Sequence, residues 1–107
     1  MNWLPLIEAD FVPDGEVIGV DRPEGSFAIY KVDGVVHVTD NQCTHGNARL
    51  CDGFLEGHEI ECPLHQGRFD IRSGAALCAP LTQPLTRYAV QIDNHQVCIA
   101  WPSGNTP

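Results

Sequence analysis

The sequence predicts an all-β domain of about eight to ten short strands, arranged as a sandwich or small barrel. An elaborated lobe over residues 41–84 is inserted between its β hairpins. Three observations carry this. Short runs rich in Val, Ile, Tyr and Phe are bounded by turn residues. No segment shows a helical apolar stripe of ten or more residues. Ten glycines and eight prolines in 107 residues favour loops and turns over a helix bundle. That length sets one domain, residues 1–107, as the expectation.

Taken in order, residues 16–20 (EVIGV) make the first predicted strand. Residues 26–32 (SFAIYKV) and 35–39 (VVHVT) flank Asp33-Gly34, a strong hairpin signal. Residues 59–61 (EIE) and 68–71 (RFDI) are shorter candidates within the lobe. Residues 86–92 (TRYAVQI) alternate as a half-buried strand does, and 96–101 (QVCIAW) follow after Asp93-Asn94-His95. The tail 102–107, PSGNTP, is expected to fray.

The net charge is -8, and it is unevenly spread. Residues 1–42 hold eight acids against Arg22 and Lys31, whereas the last 37 residues hold only Asp93 against Arg72 and Arg87. Nucleic acid is excluded as an expected partner, because phosphate contacts need a basic face. A basic protein partner fits better, since opposite charge speeds encounter. No apolar run approaches the ~18–20 residues of a membrane span. The start, MNWLPLIEAD, has no basic region before an apolar one and does not read as a signal peptide. The expectation is a cytoplasmic protein without a membrane partner, whose five cysteines are ligands or buried thiols before they are disulfides.

The chemistry concentrates in two pairs. Cys43-Thr44-His45 is followed sixteen residues later by Cys62-Pro63-Leu64-His65. Each pair offers one soft thiolate and one borderline imidazole. Zinc accepts two cysteines and two histidines in a tetrahedron. A Rieske [2Fe–2S] centre accepts two cysteines on one iron and two histidines on the other. Zinc modules usually pair Cys with Cys and His with His. The mixed order here, C-x-H and then C-x-x-H, is the Rieske signature.

The stretch CTHGNARLCDGFLEGHEIECPLHQGRFDIRSGAALCAP, residues 43–80, resembles the Rieske-type ferredoxins of bacterial aromatic ring-hydroxylating dioxygenase systems, those of naphthalene and biphenyl dioxygenases above all. The resemblance extends over nearly the whole chain. It implies a Rieske-type antiparallel β-sandwich with an inserted cluster-binding lobe, carrying one [2Fe–2S] cluster. Cys43 and Cys62 would hold the inner iron. His45 and His65 would hold the outer iron at the tip of the protein, where Gly46, Leu64, Gln66 and Pro80 would surround them in a docking face. Cys78-Ala79-Pro80 resembles the proline-containing loop that covers the cluster. Gly46, Gly53 and Gly67 would shape turns that aim N–H groups at the sulfurs.

The departures from high-potential Rieske proteins are informative. Leu64 stands where those proteins carry an extra, disulfide-forming cysteine, and Gly67 and Phe69 stand where they carry serine and tyrosine hydroxyls. Fewer hydrogen bonds to the cluster imply a potential near the low end of the Rieske range, about −150 mV. Of the remaining cysteines, Cys51, Cys78 and Cys98 read as packing residues. His37, His58 and His95 read as structural or surface residues.

The function implied is a monomeric electron carrier, not an enzyme. It would take single electrons from an NAD(P)H-dependent flavoprotein ferredoxin reductase and deliver them to a terminal ring-hydroxylating oxygenase. Two alternatives belong to other classes. One is a small Rieske-fold subunit of a nitrite reductase-like enzyme, although such subunits commonly lack the ligands that all four positions keep here. The other is a zinc-bound interaction module, which would be colourless.

Overall fold

The computed structural model describes residues 2–64, 66–78 and 83–102. Within them, ten strands form three antiparallel sheets. The strands are β1 (Asn2–Glu8), β2 (Val17–Arg22), β3 (Gly25–Val32), β4 (Val35–Asp40), β5 (Phe54–Glu56), β6 (Glu59–Glu61), β7 (Arg68–Asp70), β8 (Arg87–Tyr88), β9 (Val90–Asp93) and β10 (Gln96–Trp101). Two single-turn 3-10 segments, Ala9–Phe11 and Leu50–Asp52, complete the regular structure. The sheets run β1-β10-β9, β2-β3-β4-β8 and β5-β6-β7.

The Asp33-Gly34 hairpin forms as expected. Its two central residues have φ +51° and +79°, the left-handed pair that a type I′ turn needs to match the twist of its strands. The Gly34 N–H donates to the Asp14 carboxylate at 2.7 Å, pinning the turn to the preceding loop. The second hairpin, β9–β10, turns through Asn94 and His95, which are both left-handed without a glycine.

Two features differ from the sequence reading. The strand expected over 86–92 is two strands. β8 pairs with β4 through Tyr88 and Val38, and β9 pairs with β10. The chain crosses from one sheet to the other at Ala89, whose carbonyl accepts from the Ala100 N–H at 3.1 Å. Period-two alternation fixes which face a side chain takes, not which neighbour the strand joins. The N-terminal segment is also a strand: β1 lies along β10, with its register slipping between Pro5 and Ile7. As an edge strand it tolerates Pro5, which has no N–H to give.

β3 organises the interior. Phe27, Ala28, Ile29 and Tyr30 are all fully buried, so both faces of the strand are covered. Phe27 and Ile29 enter a core with Leu6, Val12, Val38, Tyr88, Val97 and Ile99. There Phe27 meets Tyr88 and Trp101 edge to face, with centroids 5.4 and 5.6 Å apart. Ala28, Tyr30 and Val32 face a second core with Leu50, Ile60, Phe69, Ile71, Leu85, Cys43 and Cys62. Each large side chain so buried contributes about 1.5–3 kcal/mol.

The lobe sheet is amphipathic by register. Leu55, Ile60 and Phe69 are paired across it, with Ile60 and Phe69 fully buried. The alternate positions pair Phe54 with Glu61 and Arg68, and Glu56 with Glu59 and Asp70, on the outer face. Arg68 bridges Glu56, Glu59 and Glu61 at 2.9, 3.4 and 2.9 Å.

Candidate metal centre

Cys43 follows the end of β4 after Asn41 and Gln42, and Cys62 follows the end of β6 directly. Each cysteine's own N–H turns back to the carbonyl of the fifth residue after it. Cys43 donates to the Ala48 carbonyl at 2.9 Å, and Cys62 to the Gly67 carbonyl at 2.8 Å. In the first loop the Gly46 carbonyl accepts from the Ala48 N–H at 2.9 Å and from Gln42 Nε2 at 2.7 Å. In the second, the Gln66 N–H returns to the Cys62 carbonyl at 3.0 Å, with Gln66 itself at φ +58°. The left-handed residue there is Gln66, not the neighbouring glycine.

The first loop is clamped at its root by Asn41, which is fully buried. Its Oδ1 accepts from the Cys51 N–H at 2.9 Å, and its Nδ2 donates to Ser26 Oγ at 3.1 Å and Cys51 Sγ at 3.3 Å. Its backbone N–H donates to the Ser26 carbonyl, and its carbonyl accepts from Leu50. Gly19 on β2 leaves the space that Cys51 fills: a Cβ there would stand 2.6 Å from Cys51 Sγ. Sequence reasoning missed Asn41. Its signal is a pair of amides, Asn41 and Gln42, between a strand and the first cysteine. At the loop's far side, Thr44 Oγ1 donates to the Gln83 carbonyl at 2.9 Å.

The structure brings Cys43 and Cys62 together, 2% and 0% exposed, inside the second core. The two side chains adjoin, and neither is in a disulfide. Burial pushes the Cys43 thiol above its ordinary pKa, and Cys62 adds to that. The backbone N–H groups of His45 and Gly46 donate toward the Cys43 sulfur and pull the other way. His45 lies on the exposed part of the same loop. His65 and Pro80 fall outside the described residues. Among the described residues, no three His, Cys, Asp or Glu side chains converge on one point.

This donor set fits a cluster ligated by sulfur. Two cysteine side chains meet in an apolar core, and N–H groups directed at a sulfur stabilise the thiolate form that a metal requires. Gly46 serves that arrangement as expected. Gly53 does not: its φ is −89°, and it is required because a Cβ there would lie 2.1 Å from the Glu61 carbonyl oxygen. Cys98 is buried as expected and Cys51 half-buried, whereas Cys78 is exposed rather than packed.

Residues 2–89 match the family model of the Rieske [2Fe-2S] domain. The chain belongs to the Rieske family. It is 52% identical over 98 residues, 92% of this chain and 94% of the relative, to the ferredoxin component of the naphthalene 1,2-dioxygenase/salicylate 5-hydroxylase systems of Ralstonia sp. It superposes on the Sphingomonas yanoikuyae B1 ferredoxin with a TM-score of 0.90 at 48% identity, covering 94% of this chain and all of that one. A chain in the complex of reduced oxygenase and oxidized ferredoxin in carbazole 1,9a-dioxygenase matches with a TM-score of 0.85 at 34% identity, covering 92% of each. This Rieske protein is therefore a ferredoxin with the antiparallel β-fold and one Rieske [2Fe–2S] cluster, an electron carrier rather than a catalytic subunit. Among the described residues, no helix is long and apolar enough to cross a membrane.

Proposed function

We propose that this ferredoxin is the carrier of an aromatic ring-hydroxylating dioxygenase system. It takes single electrons from an NAD(P)H-dependent flavoprotein reductase and delivers them to a terminal oxygenase. The observation that carries the reading is the pair of buried cysteines on twin loops in a chain half identical to naphthalene dioxygenase ferredoxin components. In this reading residues 1–107 act as one Rieske domain, monomeric and cytoplasmic. Cys43 and Cys62 hold the inner iron; His45 and His65 hold the outer iron. When bound, the cluster supplies a one-electron couple.

The residues of the chain divide the remaining work. The apolar core around the cysteines excludes water from the sulfur side. His45 sits on an exposed loop, and Leu64, which is 59% exposed, lines a shallow cleft with Asn47 and Ala48 of that loop. An exposed apolar side chain next to the ligand loop suits a small, short-lived interface of the kind redox partners use. The acid-rich chain suits a basic partner, so turnover with the reductase should fall as salt rises. Phe69, where high-potential relatives would place a hydroxyl, is fully buried and offers no donor, which supports a midpoint near −150 mV.

Absorption and EPR spectra before and after dithionite test the ligand set. The wild type should be red-brown, bleach on reduction and give a rhombic signal with average g below 2. His45→Cys and His65→Cys should each abolish that average while iron content shows whether a cluster persists. An unchanged signal in either variant would remove that histidine from the ligand set. A redox titration with a midpoint well above zero would refute the low-potential assignment.

A further inference from the structure

Away from the two loops, the structure contains a basic cleft that the carrier function does not use. It opens where the two larger sheets part. Beyond Tyr88 the chain leaves β4 at Ala89 to join β10, and the gap is lined by Val36, His37, Arg72, Arg87 and Val90 among others. None of its lining residues belongs to either cysteine–histidine loop. It encloses about 130 Å³. That suits a small ion better than an organic ligand, whose pockets begin near ~300 Å³.

The charge here runs against the rest of the chain. The protein has a net charge of -8 and six lysines and arginines in all. Two of those six line this one cleft. Arg72 is fixed by Asp70: its Nε donates to Oδ1 at 3.1 Å and an Nη to Oδ2 at 2.9 Å. A guanidinium so held keeps further N–H donors for a second acceptor. The His37 ring stands beside Arg72 and Arg87 on the cleft wall, and His58 meets it edge to face at 5.9 Å. Burial first, then His58 and Arg72, hold His37 below the ordinary histidine pKa; Asp70 opposes and Arg87 adds to the depression. Burial disfavours any charge here, so the attraction for a negative ion rests on the Arg72 and Arg87 guanidinium groups that line the cleft with His37.

We propose that this cleft is an oxyanion site, in which a phosphate or a carboxylate is held between His37, Arg72 and Arg87. The ligand is either a free inorganic anion or a carboxylate on a protein surface. Both present the same paired oxygens to a guanidinium fork. The site is independent of the ligand set proposed above.

The test is an NMR titration of the His37 ring in the cluster-loaded protein, with inorganic phosphate against chloride at constant ionic strength. Phosphate should shift the ring signals saturably and raise the His37 titration midpoint, because a bound anion favours imidazolium. Arg72→Gln and Arg87→Gln should each weaken binding by about tenfold, the loss of one charge-assisted hydrogen bond. Arg49→Gln, at an exposed ion pair with Asp21 elsewhere, should leave it unchanged. Far-UV circular dichroism and cluster absorbance confirm that each variant is folded. A parallel titration with acetate separates the sources. Saturation by phosphate alone assigns the cleft to a free tetrahedral anion; saturation by acetate as well assigns it to carboxylates. A response that never saturates, or that saturates equally in both arginine variants, overturns the site.

Discussion

Replacing Asn41 with alanine should loosen the root of the first cysteine loop and cost the fold about 2–4 kcal/mol. The figure comes from the bonds described. The Cys51 N–H loses its acceptor at 2.9 Å, and a half-buried donor left unmatched costs about 1–3 kcal/mol. Asn41 is fully buried, so deleting its amide also leaves a void of at least methyl size, worth about 1 kcal/mol. The donors from Nδ2 matter less, because Ser26 Oγ keeps its own bond to Asp21 at 2.6 Å when the amide is removed. At about 4–8 °C per kcal/mol, the apparent Tm of the cluster-loaded protein should fall by at least about 8 °C. Ser26→Ala, which removes one partner on the solvent side, should move it far less. The assay is a thermal melt at fixed scan rate, followed by far-UV circular dichroism and by cluster absorbance in parallel. If Asn41→Ala melts within about 2 °C of wild type, the amide is not the clamp described here.

Other perturbations follow from single contacts. Gly74→Ala places a Cβ 2.3 Å from the Leu85 carbonyl oxygen at φ +82°; left-handed strain alone costs about 1–2 kcal/mol, so the urea midpoint should fall by more than that strain explains. Tyr30 and Tyr88 titrate above the ordinary tyrosine range, burial being the main cause in each. Their folded pKa values are raised, so the stability they contribute is present below the unfolded value near ~10 and is lost as pH rises above it. Urea midpoints at alkaline pH should decline less steeply in a Tyr30→Phe/Tyr88→Phe double variant. Arg68→Met leaves Glu56, Glu59 and Glu61 facing one another without their shared cation; stability should drop at low salt and recover with added sodium chloride, and a salt-independent loss would point to packing instead.

Much of this molecule is legible in its sequence. The Asp33-Gly34 turn, the strands on either side of it and β10 follow from local chemistry: a dipeptide that accepts positive φ, and side chains that suit a pleated half-buried surface. The two cysteine–histidine pairs were legible because ligand type and spacing are themselves chemical information. What escaped was set by distant neighbours. β1 contains a proline and ends on an acid, Glu8, and it becomes a strand because β10 offers it an edge. The break at Ala89 exists because two sheets compete for one segment. Gly53 and Gly74 are required by carbonyls far along the chain, at Glu61 and Leu85, which no turn motif announces. The meeting of His37 with His58 belongs to the same class, since one lies on β4 and the other in the turn between β5 and β6, and they share no pattern.

The two-sided burial of β3 has a further consequence. This strand is a party wall. Phe27 and Ile29 belong to one room, and Ala28, Tyr30 and Val32 to the other, where the cysteines are housed. Neither room can be refurnished alone, because a change of side-chain volume on one face tilts a backbone that the other face leans on. Extracting iron from the lobe should therefore register in the slow amides of β10, on the far side of the wall. A carrier built this way announces whether it is loaded across its whole body, not at its tip alone.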